Sequence, residues 1–262
     1  MADPQSTPAF LDGNIELPEV TATRCFTWLR LGWRDLRRCP TVGLAHGLVM
    51  AIFGALVFGL AADRFWLLAG AFSGFLLVAP VLATGLYAVS RALEKSDRAS
   101  FATVSGVWRS GDDRLMRFGA LLALAGTGWV LTSAAMITLL APQPINGPAD
   151  FLKHVVVSNS WLFEGWILLG GVLAAPVFAS SVIAMPLLLD RPVSVLAAVL
   201  TSWRVVMANP LPMALWATVI MLLTAVGMAT AMLGLIVLMP LLGHASWHAY
   251  RDLLRDSVKD SG

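Results

Sequence analysis

Three histidines are the residues best placed to do chemistry in this chain: His46, His244 and His248. Imidazole nitrogens ligate copper and haem iron, and two rings from neighbouring helices suffice to hold such a centre from one layer. His46 comes six residues after Pro40 and His244 seven residues before Arg251, inside apolar runs at opposite ends of the sequence. At 1.5 Å per helical residue both sit at a similar depth of about 9–10 Å. His248 follows His244 by four residues and shares its helix face. The competing assignment is that each ring bonds a backbone carbonyl or a lipid headgroup at the membrane rim. No metal site is expected and no cofactor is predicted, haem being the one these histidines would favour.

Other polar side chains within the apolar runs are hydroxyls, at Thr132, Ser133, Ser180, Ser181 and Thr224. Such groups bond their own helix or join two helices. Met185, Met221, Met228, Met232 and Met239 have no ligand-like spacing and read as packing residues. Cys25 and Cys39 form no CxxC pair, so neither a zinc site nor a disulfide is indicated. There is no phosphate-cradling glycine loop, no GxSxG and no HExxH. No acidic or basic residue stands in the middle of an apolar run, which argues against a proton pump, because buried charges mark proton paths. No catalytic residue is assigned, and the chain is not expected to be an enzyme by itself.

The elements that must position these residues are membrane helices. Of the 262 residues 58% are hydrophobic and only 13% charged, where soluble chains have about 25% charged. Several runs reach the roughly 20 residues that cross about 30 Å of hydrocarbon. Six crossings are expected, at about 41–60, 65–88, 118–140, 166–188, 211–230 and 232–249. The last two form one apolar stretch too long for a single span, so a tight hairpin is expected near Gly227 to Gly234.

A threefold internal repeat organises the chain. Trp33-Arg34, Trp108-Arg109 and Trp203-Arg204 each precede a long apolar run. Seven residues before each Trp stands Phe26, Phe101 or Leu196, and four before it Leu29, Val104 or Val199. Pro80, Pro176 and Pro240 lie in the second crossing of each unit, where an interior proline removes a hydrogen bond and kinks the helix. The expected fold is all-α and integral to the membrane: six transmembrane helices as three hairpins, each preceded by an amphipathic interfacial elbow helix. The repeats run about 23–95, 98–191 and 192–255 within a membrane domain of 23–256, between a mobile tail at 1–22 and a short tail at 257–262. In each elbow the Trp suits the interface and the Arg reaches lipid phosphates. Pro40 and Pro210 turn the chain into the next span, whereas Gly111, Asp112 and Asp113 make that turn in the second unit.

Sixteen of the 18 basic residues fall on one side of such a topology, Arg64 and Lys153 being the exceptions. The positive-inside rule then places both termini in the cytoplasm. That basic face is matched to anionic lipid headgroups, not to nucleic acid. The first twenty residues lack the basic start and short apolar core of a signal peptide.

The ending with Pro240, His244, Trp247, His248, Tyr250, Arg251 and Asp252, taken with the Trp-Arg-x5-Pro elbows, resembles an uncharacterised family of bacterial six-span inner-membrane proteins. Some of its members are labelled cytochrome c oxidase subunits. The resemblance spans about 25–256, implies a bacterial inner-membrane location and carries no catalytic residues across. A catalytic oxidase subunit needs about twelve spans and several more histidine ligands, so what the resemblance implies is a non-catalytic accessory, assembly or stabilising subunit of a respiratory complex. Its partners would be other integral membrane subunits. The alternative is a small pseudo-threefold transporter or channel.

Overall fold

The computed structural model describes residues 17–61, 83–145, 147–158 and 161–254, all helix and connecting turn with no strand among them. In chain order the helices are α1 (Arg24–Arg38), α2 (Pro40–Ala61), α3 (83–94), α4 (Phe101–Arg109), α5 (Asp113–Leu140) and α6 (Pro148–Phe151). A turn of π-helix at Leu152–Val156 follows, then α7 (Leu162–Ser181), α8 (Ala184–Asp190), α9 (Val195–Ala208), α10 (Pro210–Ala229) and α11 (Leu235–Leu253).

Three of these are long and apolar enough to cross a membrane: α5, the α7–α8 pair taken together, and α10. The α1–α2 pair, bent by 106°, makes a fourth if counted as one broken span. Against the six crossings expected from the sequence, the described residues thus hold three or four candidate spans. Most of the expected second crossing, 65–88, lies outside the described residues, as does Pro80. The last half of α11 carries His244, His248, Arg251 and Asp252, which dilute its apolar character.

Local chemistry sets the bends. Cys39 and Asn209 each precede a proline, which disfavours helical geometry at the residue before it. They adopt nearly the same conformation, φ −132° and ψ 61° against φ −127° and ψ 55°, with Pro40 and Pro210 opening the next helices. Between α4 and α5 the turn is built differently. Gly111 takes φ +59°, a region open to glycine at little cost, and the Asp112 carboxylate caps the Arg114 N–H at 2.9 Å. Ser100 and Ser194 cap the starts of α4 and α9. Pro176 and Pro240 lie inside α7 and α11. The chain breaks between α7 and α8 at Val182–Ile183, where the Ile183 N–H donates to the Ser202 hydroxyl at 3.2 Å. Pro186 has no N–H to extend the ladder there. The hairpin between α10 and α11 falls at 230–234, within the stretch where a turn is expected, with Thr230 accepting from the Gly234 N–H at 2.9 Å.

Glycine contacts draw the other helices onto α11. A Cβ on Gly32 of α1 would stand 2.7 Å from the Ala245 nitrogen, and one on Gly47 of α2 would overlap the Ile236 carbonyl. Gly243 of α11 instead faces the Leu86 side chain of α3. The three short helices that carry the Trp-Arg pairs rest on helices distant in sequence or next to them: α1 on α11, α4 on α3 through Val104 and Val89, and α9 on α7–α8. The main core contains Trp28, Trp216, Trp247 and Tyr250, with Trp28 and Trp216 edge to face at 5.5 Å. Leu17 and Val20, from the segment expected to be a mobile tail, pack against this core. Asn209 clasps that segment, accepting from the Val20 N–H at 2.9 Å and donating to the Pro18 carbonyl at 3.1 Å.

Candidate functional site

Where α1, α2, α3 and α11 meet, the packing encloses Asp35, His46, Ser90 and His244, all buried. Asp35 is reached by helical spacing from the buried Trp28 and Gly32, on the opposite face of α1 from exposed Trp33, and its carboxylate lies 3.8 Å from Arg34 Nε. His248 Nε2 donates to Asp35 Oδ2 at 2.7 Å. The Ser90 hydroxyl bonds the same carboxylate and lies 2.8 Å from His244 Nδ1. Burial alone would raise the Asp35 carboxyl, but the hydrogen bond and charge of His248, with the bond from Ser90, hold it below the ordinary carboxylate value.

Tautomers follow from these partners. A carboxylate only accepts, so the single Ser90 proton goes to Asp35 and Ser90 Oγ accepts from His244 Nδ1–H. His46 Nδ1 lies 2.7 Å from the Val42 carbonyl and must donate to it. Both rings then present an unprotonated Nε2, and both Nε2 atoms are buried without a hydrogen-bond partner. The packing of α2 on α11 puts both rings at this junction: His244 Nε2 lies 3.6 Å from the Cβ position of Gly43, three residues before His46 on α2.

A second polar cluster joins the ends of α3, α8 and α11. Asp190 accepts from the Tyr250 hydroxyl at 2.7 Å and stands 3.7 Å from Arg251 and 4.0 Å from Arg91. Glu94 accepts from Arg251 Nε at 3.1 Å and from Trp247 Nε1 at 3.2 Å. Burial, with Asp190 beside it, pushes the Tyr250 phenol far above its ordinary value, so it stays a donor. Nearby, Arg24 Nε donates to Asp252 at 2.8 Å, as does Trp28 Nε1 at 2.9 Å. Arg114 donates to the carbonyls of Arg191 and Val193.

Two cavities border this region. One of about 160 Å³ is lined by His46, Met50, Tyr87, Thr224, Met239 and Ser246 among others. One of about 240 Å³ is lined by Thr84, Trp108, Asp112 and Met185 among others. Ligand pockets usually measure about 300–1,000 Å³. Among the described residues no group of three or more His, Cys, Asp or Glu is arranged to hold a metal ion.

Trp33, Trp108 and Trp203 of the Trp-Arg pairs are exposed at 45%, 47% and 38%, so all three sit at the protein surface. Trp203 Nε1 donates to Ser180 at 2.9 Å, and Arg109 donates to Ser105 at 2.9 Å. Ser181 and Thr132 bond carbonyls of their own helices, and Ser133 accepts from Trp166 at 2.7 Å. Sequence reasoning missed Asp35, Ser90, Glu94, Asp190 and Tyr250. The helical spacing of Trp28, Gly32 and Asp35 was the available signal for the first of them.

A family model described as a predicted integral membrane protein (DUF2189) matches residues 67–190, a little under half of the chain. Its membrane character agrees with the apolar helices at α5, α7–α8 and α10. The chain is an integral membrane protein. No curated protein and no solved structure matches it. The family description speaks of membrane character alone, without an oxidase assignment, a bacterial source or a catalytic activity.

Proposed function

We propose that this chain is a non-catalytic accessory, assembly or stabilising subunit of a membrane complex. In this reading six spans form three hairpins, each led by an elbow helix, in a bacterial inner membrane with both termini cytoplasmic. The observation that carries it is a division of labour among surfaces. The carboxylates of Asp35, Glu94 and Asp190 and the imidazole of His248 are engaged with other helices of the same chain, while only 17% of the most apolar window of α5 and 22% of that of α10 are buried within it. Those outward faces present Leu121, Leu124 and Leu131 on α5 and Leu211, Met221 and Leu222 on α10. They suit the helices of another integral subunit or lipid tails. A respiratory partner, the more specific form, rests on the resemblance of the Pro240–Leu253 ending.

The test is extraction of the tagged chain from its native membrane in mild detergent, with identification of co-purifying chains and a redox difference spectrum. Stoichiometric partner subunits are expected, with any haem bands belonging to them. Recovery of the chain alone, from cells whose deletion mutant assembles every membrane complex normally, overturns the proposal.

The transporter reading has its own support. The helices of the Trp-Arg pairs pack on α11, α3 and α7–α8 in turn, and the cavity between α2, α3, α10 and α11 contains the hydroxyls of Thr224 and Ser246. Solute flux into vesicles containing only this chain would favour it.

A further inference from the structure

We propose that His46 and His244 form a binding site for a soft monovalent metal ion, Cu(I), with Met50 or Met239 as a thioether ligand. The site goes beyond the accessory-subunit reading and does not depend on it.

Two buried imidazole lone pairs without a donor are costly in a membrane helix bundle, where no bulk water is available to satisfy them. His46 Nε2 and His244 Nε2 are such a pair, with tautomers fixed by Val42 and by the Ser90–Asp35 bond. Glycines clear the space beside both: a Cβ at Gly85 would stand 2.7 Å from His46 Nε2, and one at Gly43 would stand 3.6 Å from His244 Nε2. What suits two neutral lone pairs is an electron-pair acceptor.

The donor set selects the ion. Zinc takes four ligands and hard cations take oxygen, and the described residues offer no cluster of three His, Cys, Asp or Glu. Cu(I) accepts two imidazoles, and thioether sulfur suits its softness. Independently of the imidazole geometry, the cavity at His46 is lined by Met50, one helical turn along α2, and by Met239 of α11. The Asp35–Ser90–His244 chain matches the way a metal-bound histidine has its far nitrogen anchored through a hydrogen bond that ends on a carboxylate. The ligands are neutral, so the site as a whole gains the single charge of the ion, the smallest a metal ion can bring into an apolar interior.

The test is competition for Cu(I) between bicinchoninate and the full-length chain, purified in detergent with Cys25→Ser and Cys39→Ser to remove thiolates. X-ray absorption of the loaded protein reports the ligands. One equivalent bound through imidazole nitrogen with sulfur is expected. His46→Gln and His244→Gln should each abolish competition, and Ser90→Ala should weaken it about 10–100-fold through lost anchoring. Gly43→Ala, which asks only the tip of Leu36 to move, should also weaken it, covering the case in which a histidine variant fails to fold. Met221→Leu, at an exposed methionine, should change nothing. The proposal is overturned if the parent protein takes no Cu(I) from bicinchoninate, in which case a bridging water satisfies both rings. Copper bound with undiminished affinity in the folded Gln variants overturns it equally.

Discussion

The α11 side of the bundle and the α5–α7 hairpin are built from similarly apolar helices but use them in opposite ways. Around α11, glycines at 32 and 47 let backbones meet, Gly243 makes room for the Leu86 side chain, and carboxylates bridge helices far apart in sequence, as Asp35 does to His248 and Asp190 to Tyr250. The α5–α7 hairpin is joined mainly by aromatics. Trp129 and Trp166 lie 5.7 Å apart, Gly170 meets Trp129, and Trp166 donates to Ser133. Cβ positions at Gly128 and Gly171 meet nothing within 4 Å. The difference teaches that a small residue in a membrane helix has meaning only through what faces it. On the α11 side glycine is spent inside the chain, and at Gly128 and Gly171 it is left facing outward.

The largest effect expected from breaking this contrast is at Gly47. Its added methyl in Gly47→Ala would overlap the Ile236 carbonyl, a backbone atom that cannot step aside, so α2 must move off α11. A loss of about 3 kcal/mol is expected, at the upper end for overpacking. Thermal unfolding of the purified protein in detergent measures it, and an unchanged transition would mean that α2 and α11 are not in backbone contact. Gly32→Ala, set against the Ala245 nitrogen, should follow at a somewhat smaller cost.

Next comes the buried pair beneath those contacts. His248→Ala leaves the Asp35 carboxylate enclosed with its main partner removed, a loss of about 3 kcal/mol in comparable buried pairs. The same carboxylate sets an acid limb. Its pKa in the fold is lower than in the unfolded chain, so its contribution is fully present above about pH 4 and is lost as pH falls through the folded value. The transition temperature of the parent protein should therefore drop on acidification below that point. Asp35→Asn should start lower at neutral pH and show a shallower acid drop; an unaltered limb would assign it to other carboxylates, Asp112 first, whose bond from Arg114 also holds it low.

How much of this was legible in the residues divides along the same line. Helix class, the breaks before Pro40 and Pro210, and the turn near Gly227 to Gly234 come from proline, glycine and long apolar runs, which act locally. The bonds of Asp35 to His248 and of Tyr250 to Asp190 were hidden, since each links segments 60 or more residues apart. Asp35 also stands among five arginines in the sequence, where a solvated surface is the natural reading, and only the buried stripe of Trp28 and Gly32 betrays its inward face. The sixth expected span was harder to read for a related reason. The periodic apolar pattern of 232–249 does not show that the second half of α11 is wrapped by polar partners within the chain.

The smallest effect on the chain itself sharpens the comparison most. Gly128→Ala places a methyl where the fold has open space, so nothing is displaced, and alanine is the better helix former by about 1 kcal/mol. The purified protein should be unchanged or slightly more stabilised, the reverse of Gly47→Ala. If the outward face of α5 packs against a partner's helix, the same methyl intrudes on that contact, because small residues permit close backbone approach between membrane helices. Co-purification of partner subunits should then fall although the chain has lost no stability. A variant that keeps both its stability and its partners would assign that face to lipid, and Gly171→Ala repeats the test on α7, where the Cβ position is equally open.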